Sequence, residues 1–206
     1  MKVTITEVRE VVNRLSGIII ENEIPFCELD SAAGDGDFGT SLAKGFRQVQ
    51  KHINEIDSSS IQKFLRGCSM IIFEHCGGAS GPIWGSAFSA AAASCKGKED
   101  LSLADIALMF VEATSAIQKR GGAVLGDKTL LDALIPVATA LTTAAEGGKP
   151  LKEALQDALW AAEAGAEATK KMVATKGRAS YVGERSIDHP DAGAAAIAII
   201  MKELLS

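Results

Sequence analysis

Three carboxylates fall within eight residues of the stretch Asp30-Ser31-Ala32-Ala33-Gly34-Asp35-Gly36-Asp37, and Phe38-Gly39-Thr40-Ser41 follows them. Carboxylates crowded in this way repel one another unless a cation lies among them. The glycines between them let the backbone curl so that the oxygens converge. Hard oxygen donors suit Mg²⁺, Mn²⁺ or Ca²⁺. A polar Asp/Gly turn, capping the next helix through Asp37 or Thr40, would use the same residues without any ion. An EF-hand is excluded: with Asp35 as position one, Gly39 stands where Asp or Asn is required and Phe46 where the bidentate Glu belongs. What remains is a loop feeding a helix N-terminus, whose free N–H groups favour phosphate oxygens.

Three further segments do not read as core. Gly77-Gly78-Ala79-Ser80-Gly81-Pro82 is glycine-rich and leads into a helix; Pro82 stands where a nucleophile elbow needs its last glycine. It is either a plain turn or a backbone surface for a phosphate. In Gly121-Gly122-Ala123-Val124-Leu125-Gly126-Asp127-Lys128-Thr129, Asp127 intrudes between glycine and lysine, so the Walker A pattern is not met. The stretch from Lys176 to Gly193 lacks helical periodicity and carries Arg178, Arg185 and the only tyrosine, Tyr181. Long irregular loops in compact domains often carry function, and arginine is a natural phosphate clamp. His52, His75 and His189 make no ligand spacing.

The elements that must position these loops are helices. Apolar residues recur at period 3.6 in eight stripes: Val8 to Ile19, Leu42 to Ile56, Ile61 to Ile71, Pro82 to Ser94, Leu103 to Ile117, Leu130 to Ala145, Leu151 to Ala162, and Ile197 to Leu204. Thr4-x-x-Glu7 is a capping box for the first, Ser102 caps the fifth, and Pro136 is expected to bend the sixth. Strand signals are nearly absent. The expected fold is all-α: one domain over residues 1–206, an antiparallel barrel or bundle of eight helices. Periodicity does not choose between ring and bundle. An up-and-down order gathers alternate loops at one end, and a short extra helix near Pro25 to Asp30 would affect which.

Hydrophobic residues make up 47%, yet no apolar run approaches the roughly 20 residues of a membrane span. The charged start Met1-Lys2-Val3-Thr4-Ile5-Thr6-Glu7 does not read as a signal peptide, and Cys27, Cys68, Cys76 and Cys95 form no metal or disulfide pattern. A cytoplasmic protein with free, buried thiols is expected. The net charge of -5 argues against direct nucleic-acid binding.

The motifs Asp30-x4-Asp35-x-Asp37, Gly77 to Pro82, Gly126-Asp127-Lys128-Thr129 and Lys176-Gly177-Arg178-Ala179-Ser180-Tyr181-x-Gly183-Glu184-Arg185-Ser186 resemble those of the nucleotide-binding L subunit of bacterial dihydroxyacetone kinase. The resemblance runs over essentially the whole chain. It implies an eight-helix barrel with the nucleotide at one end. Asp30, Asp35 and Asp37 would bind two Mg²⁺ ions bridging the phosphates of ADP or ATP. Nucleotide contacts would come from Phe38, Gly39, Thr40, Ser41, Ala79, Ser80, Gly121, Leu130, Arg178, Asp191, Ala192 and Gly193, with Arg178 also catalytic. Many family members have His where this chain has Phe38, and Asp-Pro-Gly where it has Asp191-Ala192-Gly193.

The implied function is phosphoryl transfer to dihydroxyacetone, or a similar small ketose, held covalently on a histidine of a separate K subunit. ADP would stay bound as a coenzyme, recharged by a phosphoprotein of the sugar phosphotransferase system (an M subunit). Two alternatives stay open: an exchangeable ATP, as in fused kinases of the family, and a nucleotide-sensing coregulator of a transcription factor. Whether the chain is a monomer or a homodimer is also open.

Overall fold

Each apolar stripe becomes a helix because one face of it can be buried only against a neighbour. The computed structural model describes residues 2–206, and the long helices are α1 (Ile5–Glu21), α3 (Phe38–His52), α4 (Ile61–His75), α5 (Ser80–Ser94), α6 (Leu103–Gly121), α7 (Leu131–Glu146), α8 (Leu151–Ala168) and α9 (Ala192–Leu205). A ninth, short helix, α2 (Glu23–Ser31), forms where Pro25 to Asp30 suggested one. The only strands among the described residues are β1 (Val3–Thr4) and β2 (Asp100–Leu101), paired antiparallel.

The long helices pack in the order α1, α3, α4, α5, α6, α7, α8, α9, and α9 returns to α1. The arrangement is therefore a closed ring of eight helices, with α2 lying along α3. Two boundaries differ from the stripes. Ile53 and Ile56 lie beyond the end of α3 at His52, though both still pack on the core. Helix α9 starts five residues before Ile197, because Asp191 accepts the Ala194 N–H at 2.8 Å and caps it there.

Phe26, Phe46, Phe64, Leu42, Ile72, Leu131 and Leu141 are fully enclosed in the core. Phe46 meets the edge of Trp84 at a centroid distance of 5.7 Å and an interplanar angle of 86°. Elsewhere small residues let backbones approach. Pro136 sits inside α7 without ending it and has no N–H for the carbonyl of Asp132. At that same carbonyl, α8 passes so close that a Cβ on Gly165 would overlap it. All four cysteines are free, and burial pushes the Cys68 and Cys76 thiols up to about 12 and about 11. Among the described residues, no helix is long and apolar enough to cross a membrane.

Because the helices alternate in direction, the connections 32–37, 76–79, 122–130 and 169–191 meet at one end of the ring. The turns 53–60, 95–102 and 147–150 join the opposite ends of these helices, and β1 pairs with β2 in the second of them.

Candidate nucleotide and metal site

The first wall of a cleft of about 270 Å³ is the aspartate loop. Asp30 closes α2, and its Oδ2 accepts the Gly36 N–H at 2.9 Å, which folds the loop back over it. Gly36 has φ +75, and a Cβ there would press on the Ser31 hydroxyl, so glycine is required on both counts. The result is convergence: one carboxylate oxygen from each of Asp30, Asp35 and Asp37 lies within 4.8 Å of the others. Burial raises the Asp30 carboxyl above the usual range; Asp35 and Asp37 add repulsion, while the Gly36 and Phe38 N–H groups oppose the shift. Asp35 and Asp37 are exposed. Three hard oxygens at this spacing fit a divalent cation.

Arg178 faces this cluster from across the cleft, with its Nε 2.7 Å from Asp35 Oδ2. Its segment, Arg178–Ser186, is wound as successive 3-10 turns that break at Gly183 (φ 56, ψ -128). That is why the stretch showed no helical period.

The remaining walls are helix starts. Ser41 and Phe38 come from α3, Ala79 and Ser80 from α5, Leu130 from the start of α7, and Asp191, Ala192 and Gly193 from α9. The Gly77 N–H donates to Ser41 O at 3.0 Å, which ties the glycine-rich turn to the start of α3. Phe38 stacks at 6.0 Å and 33° on the enclosed Phe26, so it offers a fixed apolar face. Asp191 caps α9 and is raised to about 7, chiefly by burial and then by the negative charge of Asp132; Lys128 and the Ala194 and Gly193 N–H groups oppose this.

Asp30, Asp35, Asp37, Phe38, Ser41, Ala79, Ser80, Leu130, Arg178, Asp191, Ala192 and Gly193 thus line one cleft. Three of the expected contacts do not line it. Gly39 packs against the backbone of Glu23 on α2, the Thr40 N–H turns to Cys27 Sγ at 3.3 Å, and Gly121 lies at the exposed end of α6. Arg185 and the three histidines do not line it either; His52 instead pairs with Glu55 at 2.7 Å. Sequence reasoning did not single out Trp84, Ile83 or Lys176 for the site, and quoted Lys128 without a role; all four line the cleft. The first two looked like ordinary stripe residues, whereas a lysine following Gly126-Asp127 at a helix start was a usable signal.

The model of the DAK2 domain matches residues 32–206. The chain belongs to the DAK2 domain family. Curated relatives of this DAK2 chain include the ADP-binding subunit of PEP-dependent dihydroxyacetone kinase 2 from Listeria innocua, 38% identical over 194 residues, covering 92% of this chain and 88% of that one. The ADP-binding subunit of the PEP-dependent dihydroxyacetone kinase of Escherichia coli is 36% identical over 198 residues, covering 95% and 94%. In fold, the DAK2 chain is similar to the dihydroxyacetone kinase of C. freundii solved with AMP-PNP and Mg²⁺. The TM-score is 0.76 at 23% identity, and the match covers 97% of this chain and 33% of that one.

Proposed function

We propose that the chain is the nucleotide-binding subunit of a dihydroxyacetone kinase, passing a phosphoryl group to dihydroxyacetone, or a similar small ketose, held on a separate K subunit. The observation that carries this reading is the cleft itself: three converging carboxylates face an arginine among four helix starts. The names of the curated relatives matched over most of their length support the substrate and the subunit role.

Asp30, Asp35 and Asp37 would hold two Mg²⁺ ions, which supply neutralisation of phosphate charge. The free N–H groups at the uncapped start of α5 would bind phosphate oxygens. Arg178 would leave Asp35 for the transferring phosphoryl group, where negative charge spreads over its equatorial oxygens. In transfer, the bond from the acceptor hydroxyl oxygen to phosphorus forms as the phosphorus–oxygen bond to the ADP leaving group breaks. The hydroxyl proton leaves to a general base on the K subunit that holds the ketose.

In this reading ADP stays bound as a coenzyme and is recharged by a phosphoprotein of the sugar phosphotransferase system, as the relatives named PEP-dependent and PTS-dependent suggest. A second reading, exchangeable ATP, is favoured by the similarity to the triokinase/FMN cyclase of Rattus norvegicus, 37% identical over 196 residues but matched over only 34% of that chain. The test is turnover with the K partner against ATP or against a phosphotransferase-system donor. Turnover with the donor and slow release of ADP on dialysis supports the first reading. ATP-driven turnover with the K partner alone selects the second, and no turnover with either sinks both.

A further inference from the structure

Lys128 is buried at 2% exposure, and among the described residues no carboxylate pairs with it. Burial lowers its pKa, which nearby Asp191 and Asp188 oppose. Its backbone is in the left-handed region at φ 61, a conformation that costs any residue with a side chain. A buried cation on a strained backbone persists only where surrounding structure holds it. Here the hold is visible. An ammonium has three N–H donors. The three of Lys128 go to main-chain carbonyls: Met172 O at 3.1 Å, Ser186 O at 2.5 Å and His189 O at 2.8 Å.

Those acceptors are placed in a telling way. Met172 and Ser186 stand before and after the turn that carries Arg178, and His189 stands just ahead of the α9 cap. The lysine's own loop is fixed in turn, because Asp132 on α7 accepts the Gly126 and Thr129 N–H groups at 2.6 and 2.7 Å. We propose that Lys128 is a positioning residue: it ties both ends of the Arg178 segment, and the start of α9, to the start of α7, so that Arg178 faces the aspartate cluster. The proposal goes beyond the nucleotide reading, and only its affinity arm rests on it. Lysine suits the task because a compact head with three donors matches three convergent carbonyls, which a planar guanidinium does not.

The experiment compares Lys128→Met with wild type, alone and combined with Arg178→Ala, by amide exchange and by MgADP calorimetry. Exchange within residues 172–189 should speed up by about tenfold or more while the other helices keep their protection. MgADP affinity should fall about tenfold in the wild-type background and less than about twofold in the Arg178→Ala background, because a residue acting through another is non-additive with it. Unchanged exchange in 172–189, or an equal loss of affinity in both backgrounds, overturns the proposal. Should K128M fail to fold, Lys128→Arg, which keeps the charge but not the three directed donors, takes its place in the same comparison; if neither folds, the lysine is a general structural residue and the proposal falls. If wild-type protein binds no MgADP, the nucleotide reading fails, while the exchange arm still decides the tether.

Discussion

At the end of the ring away from the cleft, three of the four helices that start there have their own caps, while α8, behind Pro150, has none. Thr4 and Ser102 form full capping boxes for α1 and α6, and the Ser60 hydroxyl accepts the Lys63 N–H at 3.2 Å to start α4. At the cleft end Asp191 caps α9, but α3 and α5 start after Asp37 and Ala79 with no side-chain cap from those residues. One first-turn N–H of α3, that of Thr40, turns to the Cys27 sulfur, so α5 is the more open of the two. An uncapped start costs stability and leaves positive N–H groups for an anion. The contrast of α5 with α1, α4 and α6 teaches that three far-end starts complete their own bonds, while the start of α5 leaves N–H groups for something else to complete.

Substitutions can break or sharpen this comparison. Arg178→Ala should lower kcat by on the order of 1000-fold with the K partner present, as loss of a charge-stabilising arginine does, and hardly move the melting temperature. Phe64→Ala, at a fully enclosed position in the first turn of α4, should do the opposite. It should cost about 3–5 kcal/mol in urea unfolding.

Asp35→Ala should weaken MgADP binding by on the order of 100-fold in calorimetry, since even residues that only support metal ligands carry effects of 10–100-fold. EDTA should mimic it in wild type. Undiminished ADP affinity in that variant would refute the metal assignment.

Asp191 gives a test by pH. Its carboxyl is raised to about 7 in the folded chain from an ordinary value of 3.8. A raised acid favours the folded state while protonated, so its contribution is complete below about pH 4 and is lost as pH rises through about 7. Stability should therefore decline across that window in wild type and stay flatter in Asp191→Asn, which keeps a capping oxygen. A parallel decline in both proteins would assign the titration to another group.

The smallest effect is the most direct check on the two ends. Ser102→Ala should cost about 1 kcal/mol by losing its cap, while Ser80→Ala, at the start of α5, should cost close to nothing.

The convergence of the aspartate wall was legible because its carboxylates are neighbours in sequence: a loop of eight residues can be read for convergence without knowing the fold. The opposite wall was not, because Lys128 finds its acceptors 44, 58 and 61 positions away. The helices were legible for a similar local reason, but a stripe states which face is buried and not which helix covers it. Ring closure therefore appeared only in the contact of α9 with α1. Gly39, Thr40 and Gly121 fall outside the cleft for a related reason: adjacency in a motif does not fix which way a backbone or side chain turns once α2 packs alongside.

The closing seam has a consequence for folding. Arg14 of α1 donates to the carbonyl of Glu203 at 2.6 Å across 189 positions, and the Asn22 amide reaches the same glutamate's carboxylate at 3.1 Å. Helix α9 follows the other eight in the described chain, and until it docks the arc from α1 to α8 stays open, with the apolar flank of α1 uncovered. Docking of α9 also brings Asp191, Ala192 and Gly193 into place, so closing the ring and completing one side of the cleft are a single event.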